Sequence, residues 1–86
     1  MKLFLQSGRD VVLEMAEGKA VRLRSPTSAP PGSTLSLTTP NAPRPFQVKV
    51  RGCRRDQDGL FVIEGRWVNL STGQRDALIR AGFQAI

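Results

Sequence analysis

Histidine and tyrosine are absent from this 86-residue chain, and Cys53 is its one cysteine. A histidine-based triad, a Cys/His zinc site and a disulfide within the chain are therefore excluded. Aromatic residues make up only 6%, with Trp67 the single tryptophan, which leaves little to stack on exposed bases. Long apolar runs are missing as well. The charge-free stretch from 25 to 43 is rich in Pro, Ser and Thr, and nothing approaches the roughly 20 apolar residues that cross a bilayer. Before Gln6 the N-terminus offers only Leu3-Phe4-Leu5, short of the ~7–15 apolar residues of a signal peptide. We therefore expect a cytoplasmic chain with no membrane insertion, and a single domain over 1–86.

What is abundant is arginine. Thirteen cations, ten of them Arg, face seven anions, for a net charge of +6. Such an excess points to an anionic partner. Its distribution narrows the search, because residues 44 to 55 hold five cations (Arg44, Lys49, Arg51, Arg54 and Arg55) and no anion. The carboxylates suggest no chemistry. Asp56 and Asp58 flank Gln57 in a turn that they are expected to cap, with too few oxygen ligands for a metal. No metal, no cofactor and no enzymatic activity are expected.

Short apolar stretches of strand length recur between turn signals, as in a small barrel or sandwich. Lys2 to Gln6 and then Val11, Leu13 and Met15, at every second position, read as two strands joined through Ser7-Gly8. After Glu17-Gly18, Ala20 to Arg24 puts Val21 and Leu23 on one face and Arg22 and Arg24 on the other. Ser25 to Gly32 holds three prolines and reads as a stiff surface loop. Leu35 and Leu37 alternate with Thr34, Ser36 and Thr38 in a fourth strand, and Pro40 to Pro45 reads as a turn. A fifth strand follows, with Phe46, Val48, Val50 and Gly52 inward and Gln47, Lys49, Arg51 and Cys53 outward. Leu60 to Val68 is the sixth, with Phe61, Ile63 and Trp67 on the core side. Ser71 and Gln74 have the spacing of a capping box, and a helix over about 71–83 should dock through Leu78, Ile79 and Phe83. The expected fold is mainly β: a six-stranded antiparallel barrel with one C-terminal helix.

Three stretches, taken in order, resemble a known family. They are Ala29-Pro-Pro-Gly-Ser-Thr-Leu-Ser-Leu, then Val48-Lys-Val-Arg-Gly-Cys-Arg-Arg, then Gly59-Leu-Phe-Val-Ile-Glu-Gly-Arg-Trp-Val-Asn-Leu-Ser with the helix segment Arg75-Asp-Ala-Leu-Ile-Arg. Together, over about residues 29 to 83, they resemble the second half of a PilZ domain. The resemblance implies a six-stranded barrel with a C-terminal helix, and a role in bacterial cyclic di-GMP signalling. Such domains hold the dinucleotide through an RxxxR arm ahead of the first strand and a [D/N]xSxxG turn, in which arginine forks engage guanine and phosphate. Here no arginine occurs before Arg9, and Ser25, Thr27 and Pro30 stand where Asp or Asn, Ser and Gly are expected. Pro30 forbids the positive φ that Gly permits. The one RxxxR, Arg51 to Arg55, falls at the end of the fifth strand.

The reading that follows is a degenerate PilZ-like adaptor, non-catalytic, that binds a protein partner. Its expected contact surfaces are the exposed Pro-rich loops and the cationic row Lys49, Arg51 and Arg55, with Arg54 beside it and joined by Arg22 and Arg24 of the third strand. Two alternatives use the same cations: a cyclic di-GMP receptor with non-standard arginines, or a small nucleic-acid-binding barrel. A bland reading competes with all three, since sheets often guard exposed edges with charge. Exposed strand edges also offer a route to a homodimer.

Overall fold

The computed structural model describes residues 1–40 and 42–83. Six strands form, β1 (Lys2–Phe4), β2 (Asp10–Glu17), β3 (Ala20–Ser25), β4 (Thr34–Thr39), β5 (Ala42–Arg55) and β6 (Phe61–Val68), followed by helix α1 (Thr72–Arg80). Every pairing is antiparallel, and the strands close into a barrel in the order β1-β2-β3-β6-β5-β4. The ring is closed between β1 and β4 by a single register pair, Phe4 with Thr38, which shortens the free sheet edges that the sequence suggested.

Alternating apolar residues fill the interior, as the period-2 pattern requires. Leu3, Val11, Leu13, Val21, Leu23, Leu37, Phe46, Val48, Val50, Ile63 and Trp67 form one buried cluster. Phe46 and Trp67 meet in a tilted pair with centroids 5.4 Å apart, a geometry worth about 0.5–1.5 kcal/mol beyond area burial. The Pro-rich loop after β3 does more than cross the surface, because Ala29 is buried in the same cluster.

Strict alternation fails at three bulges. Leu13 faces Leu23 but Met15 faces Arg22, so Glu14 is an extra residue. Ala16 takes the core position expected for Met15. A second irregularity lies between Leu37, opposite Phe46, and Thr39, opposite Ala42, where three residues of β5, 43–45, stand against Thr38 alone. The third lies between Val50, opposite Gly65, and Gly52, opposite Glu64, so Arg51 is the extra residue. Gly52 thereby moves to the outer register, while Cys53, expected outside, is half-buried against the core. One unpaired residue in a strand exchanges the faces of all that follow.

β5 is longer than expected. Thr39 pairs with Ala42, so the turn expected over 40–45 shrinks to two residues, of which Asn41 lies outside the described ones. Pro43 and Pro45 are tolerated because they fall in the irregular stretch of the β4 pairing and before pairing with β6 starts at Gln47, where no regular ladder bond needs their missing N–H.

α1 crosses the barrel end where β5 begins and β6 finishes. Its capping box is complete: the Gln74 N–H donates to Ser71 Oγ (3.1 Å) and the Ser71 N–H to Gln74 Oε1 (3.0 Å). Gln74 also docks the helix, its Nε2 donating to the carbonyls of Pro45 (2.8 Å) and Arg44 (3.3 Å). Leu78 is fully buried, whereas Ile79, expected on the docking face, is exposed. Positions 74 and 78 are four apart and share the inner face; position 79 is turned about 100° away. The helix stops at a Schellman-type end, where Gly82 takes φ 95° and the Phe83 N–H reaches the Leu78 carbonyl at 3.0 Å.

Candidate functional site

The outer surface of β3, β6 and β5 carries most of the expected candidates, and register divides it into two halves of different electrostatic character. In one half every arginine meets a carboxylate. Arg24 Nε donates to Glu14 at 2.9 Å, and its Nη1 donates to both Asp56 and Asp58 at 2.8 Å. Each aspartate uses its other oxygen on the turn itself, Asp56 accepting from the Gln57 N–H (2.8 Å) and Asp58 from the Leu60 N–H (2.9 Å). The expected turn caps are thus also a clamp on β3. The Arg24 hydrogen bond, assisted by the Gln57 N–H, holds the Asp56 carboxyl below its ordinary value; Glu14 and Asp56 raise the Arg24 guanidinium further above its own.

Arg22 lies 3.8 Å from Glu14 and pairs in register with Glu64, which itself accepts from Arg54 at 2.8 Å. Arg22, Arg24 and Arg54 are therefore matched within the fold. Of the cations expected to meet a partner, these three already have carboxylates beside them.

The other half has no such compensation. Lys49 on β5 stands in register with Arg66 on β6, which in turn faces Ala20 on β3. Arg51 projects from the adjacent bulge, and all three cations are exposed. None of them makes an ion pair among the described residues. Like charges directly opposite across two strands are unfavourable.

Arg55 does not belong to this group. The bulge at Arg51 shifts it to the register of Cys53 and Ile63, opposite Phe61 at the far end of the barrel. The expected row Lys49, Arg51 and Arg55 is thus broken, and Arg66 takes the place of Arg55. Arg66 alternates correctly with buried Gly65 and Trp67 in the sequence, but only register sets it against Lys49. Glu14 and its clamp on Arg24 were likewise missed, because a bulge residue has no signature in the alternation.

The positions matching the second PilZ motif are structural here. Ser25 is buried, its Oγ donating to the Thr27 carbonyl (2.8 Å) and accepting the Thr27 N–H (3.2 Å). The Pro30 carbonyl accepts from both the Ser33 hydroxyl (2.6 Å) and the Ser33 N–H (3.1 Å). These bonds close the loop on itself. Among the described residues no group of three or more His, Cys, Asp or Glu is placed to hold a metal ion, and no helix is long and apolar enough to cross a membrane.

Fold and surface together define a small closed β-barrel, plugged by a helix, with one balanced and one uncompensated charged face. Comparison with family models, curated proteins and solved structures finds no match to this chain.

Proposed function

We propose that this chain is a non-catalytic binding module, an adaptor of the PilZ-like kind, that engages an acidic surface of a protein partner through Lys49, Arg51 and Arg66. The supporting observation is the opposed pair Lys49 and Arg66 with Arg51 beside it, all exposed and none ion-paired among the described residues. A carboxylate-bearing partner relieves that repulsion, and rim charges of this kind raise the association rate. The resemblance of residues 29 to 83 to PilZ domains puts the partner in bacterial cyclic di-GMP-linked signalling, motility or surface attachment, in the cytoplasm.

Direct cyclic di-GMP binding is the weaker reading. Arg24 is committed to three carboxylates, and Ser25, Thr27 and Pro30 to their own loop. Nucleic-acid binding is weaker still, since Phe46 and Trp67 are buried and no aromatic accompanies the cations as a stacking platform.

The deciding experiment is affinity capture from the source cells with the parent chain and with the Lys49→Glu/Arg51→Glu/Arg66→Glu variant, matched for thermal stability. Capture by the parent and loss by the variant is expected. An identical set of captured proteins would sink the proposal, and calorimetric binding of cyclic di-GMP that is abolished by Arg51→Ala would replace it.

A further inference from the structure

β1 and β4 meet at one register pair, Phe4 with Thr38, because the chain turns back toward β2 directly after β1. The Leu5 N–H donates to the Arg9 carbonyl (2.9 Å) and the Gly8 N–H to the Leu5 carbonyl (2.8 Å). Residues 34 to 37 of β4 therefore pair with β5 on one side and have no strand register on the other. The ladder decides which of their backbone groups point to the open side. The Val50 N–H donates to the Ser33 carbonyl at 2.8 Å, and successive residues of an antiparallel strand bond to alternate sides, so Ser33, Leu35 and Leu37 bond to β5 while Thr34 and Ser36 direct N–H and C=O outward. Thr38, next in that outward set, is the residue that meets Phe4. Among the described residues no backbone hydrogen bond answers Thr34 or Ser36 on that side. Thr34 is exposed and Ser36 half-buried. Leu35, on the core face, is only half-buried, whereas Leu37 on the same face is fully buried.

We infer that this edge pairs with the same edge of a second copy of the chain, antiparallel about a two-fold axis at Leu35. Thr34 then exchanges both backbone bonds with Ser36 of the second copy, and symmetry repeats the pair, so the outward N–H and C=O groups of both edges are answered. Leu35 meets Leu35 of the second copy at the closely spaced position, with Cα atoms about 4.5 Å apart, and gains the cover it lacks. Charge favours a second copy over an acidic or basic peptide. β4 is the one strand of the six without a charged residue, and an edge with neither Lys nor Pro lacks the usual protection against self-pairing. Across the axis each row reads Lys49, Thr34, then Ser36 and Gln47 of the second copy, so no like charges stand opposite although the chain carries +6. So short an edge makes a small, transient interface, with a Kd on the order of 0.1 mM. The pairing stands or falls independently of the acidic partner proposed above.

The full chain is followed by sedimentation equilibrium from dilute solution to about 1 mM, roughly ten times that Kd. A reversible equilibrium between monomer and dimer is expected, and a monomer throughout overturns the inference. Charge variants test the edge and its register. Thr34→Lys/Ser36→Lys places lysine opposite lysine on both sides of the axis and should weaken association about tenfold or more, as should Thr34→Glu/Ser36→Glu. Mixed in equal amounts, the two variants should recover the association of the parent as a heterodimer, which also shows that both are folded. A lysine variant that dimerises like the parent, or a mixture no tighter than its components, overturns the assignment of the edge. The parent alone supplies a further readout. Amide exchange at Thr34 and Ser36 should slow as its concentration rises, while Leu35 and Leu37, already bonded to β5, stay unchanged; exchange at Thr34 and Ser36 that is independent of concentration sinks the inference without recourse to a variant.

Discussion

Two side chains show how one residue can set a local arrangement. Arg24 is the common donor to Glu14, Asp56 and Asp58, so Arg24→Gln leaves three carboxylates facing one another. Asp56 has a folded pKa below its unfolded value, so its contribution is complete above the ordinary aspartate range near pH ~4 and is lost as pH falls through the lower, folded pKa. Arg24→Gln should therefore melt lower than the parent at neutral pH, and the two melting temperatures should converge in acid. A gap that stays constant to about pH 2.5, below the ordinary carboxylate range, would show that Arg24 acts by packing alone. Gly65 is the second case. A Cβ there would collide with the Lys49 carbonyl oxygen, where β5 leaves regular register opposite β6. Gly65→Ala should cost about 1–3 kcal/mol in chemical denaturation, the range for forced overpacking; a loss below about 0.5 kcal/mol, the usual scatter of surface changes, would mean the bulge absorbs the methyl. Neither role was legible in the sequence. Arg24 looked like a free outward cation and Gly65 like an ordinary small residue, because the partners of both come from other strands.

Elements differ in how well their own sequence describes them. The helix start was readable from Ser71 and Gln74, since a capping box is local chemistry. Ser71→Ala should cost about 1 kcal/mol, as cap removals do. Gln74→Ala should cost more, because it also strips the bonds to the Arg44 and Pro45 carbonyls; equal losses in urea titration would mean that the docking bonds contribute nothing. The strands were readable as elements but not in phase beyond a bulge. Lys49 and Arg66 form the clearest consequence. Lys49→Glu turns a like-charge pair into an attractive one and should stabilise the fold by about 0.2–1 kcal/mol at low salt, with the gain fading as salt screens it. A destabilised Lys49→Glu would refute the reading of that pair as repulsive. Stability gained together with partner capture lost is the signature of a surface shaped for binding.

At the scale of the whole molecule, the barrel is closed unevenly. β5 and β6 share eight register pairs, whereas β1 has three residues and meets β4 at one pair, Phe4 with Thr38. Local opening starts where few backbone bonds and little buried surface must be given up. Hydrogen exchange should therefore release the amides of β1 first and those of central β5 and β6 last. Uniform protection around the ring would indicate that opening is global only. Helix α1 covers one end of the barrel through Gln74 and Leu78, and Ala29 reaches into the core from the long loop after β3. Two helix residues and one loop residue thus make loop and helix part of one core.

The sequence by itself determined the class of fold, because alternation, turn residues and a cap are short-range properties of the chain. Six strands and the terminal helix follow from them, whereas the order in which the strands pair around the ring does not. It also determined that the excess charge is mostly arginine and concentrated in and around β5. Only the tertiary structure decided which cations are matched. Arg22, Arg24 and Arg54 find carboxylates on other strands and turns, while Lys49, Arg51 and Arg66 do not, and Arg55 moves to another register. The physical reason is that charge pairing depends on distances of a few ångströms between residues remote in the chain. Those distances are set by register, and register around these cations turns on single-residue bulges at Glu14 and Arg51.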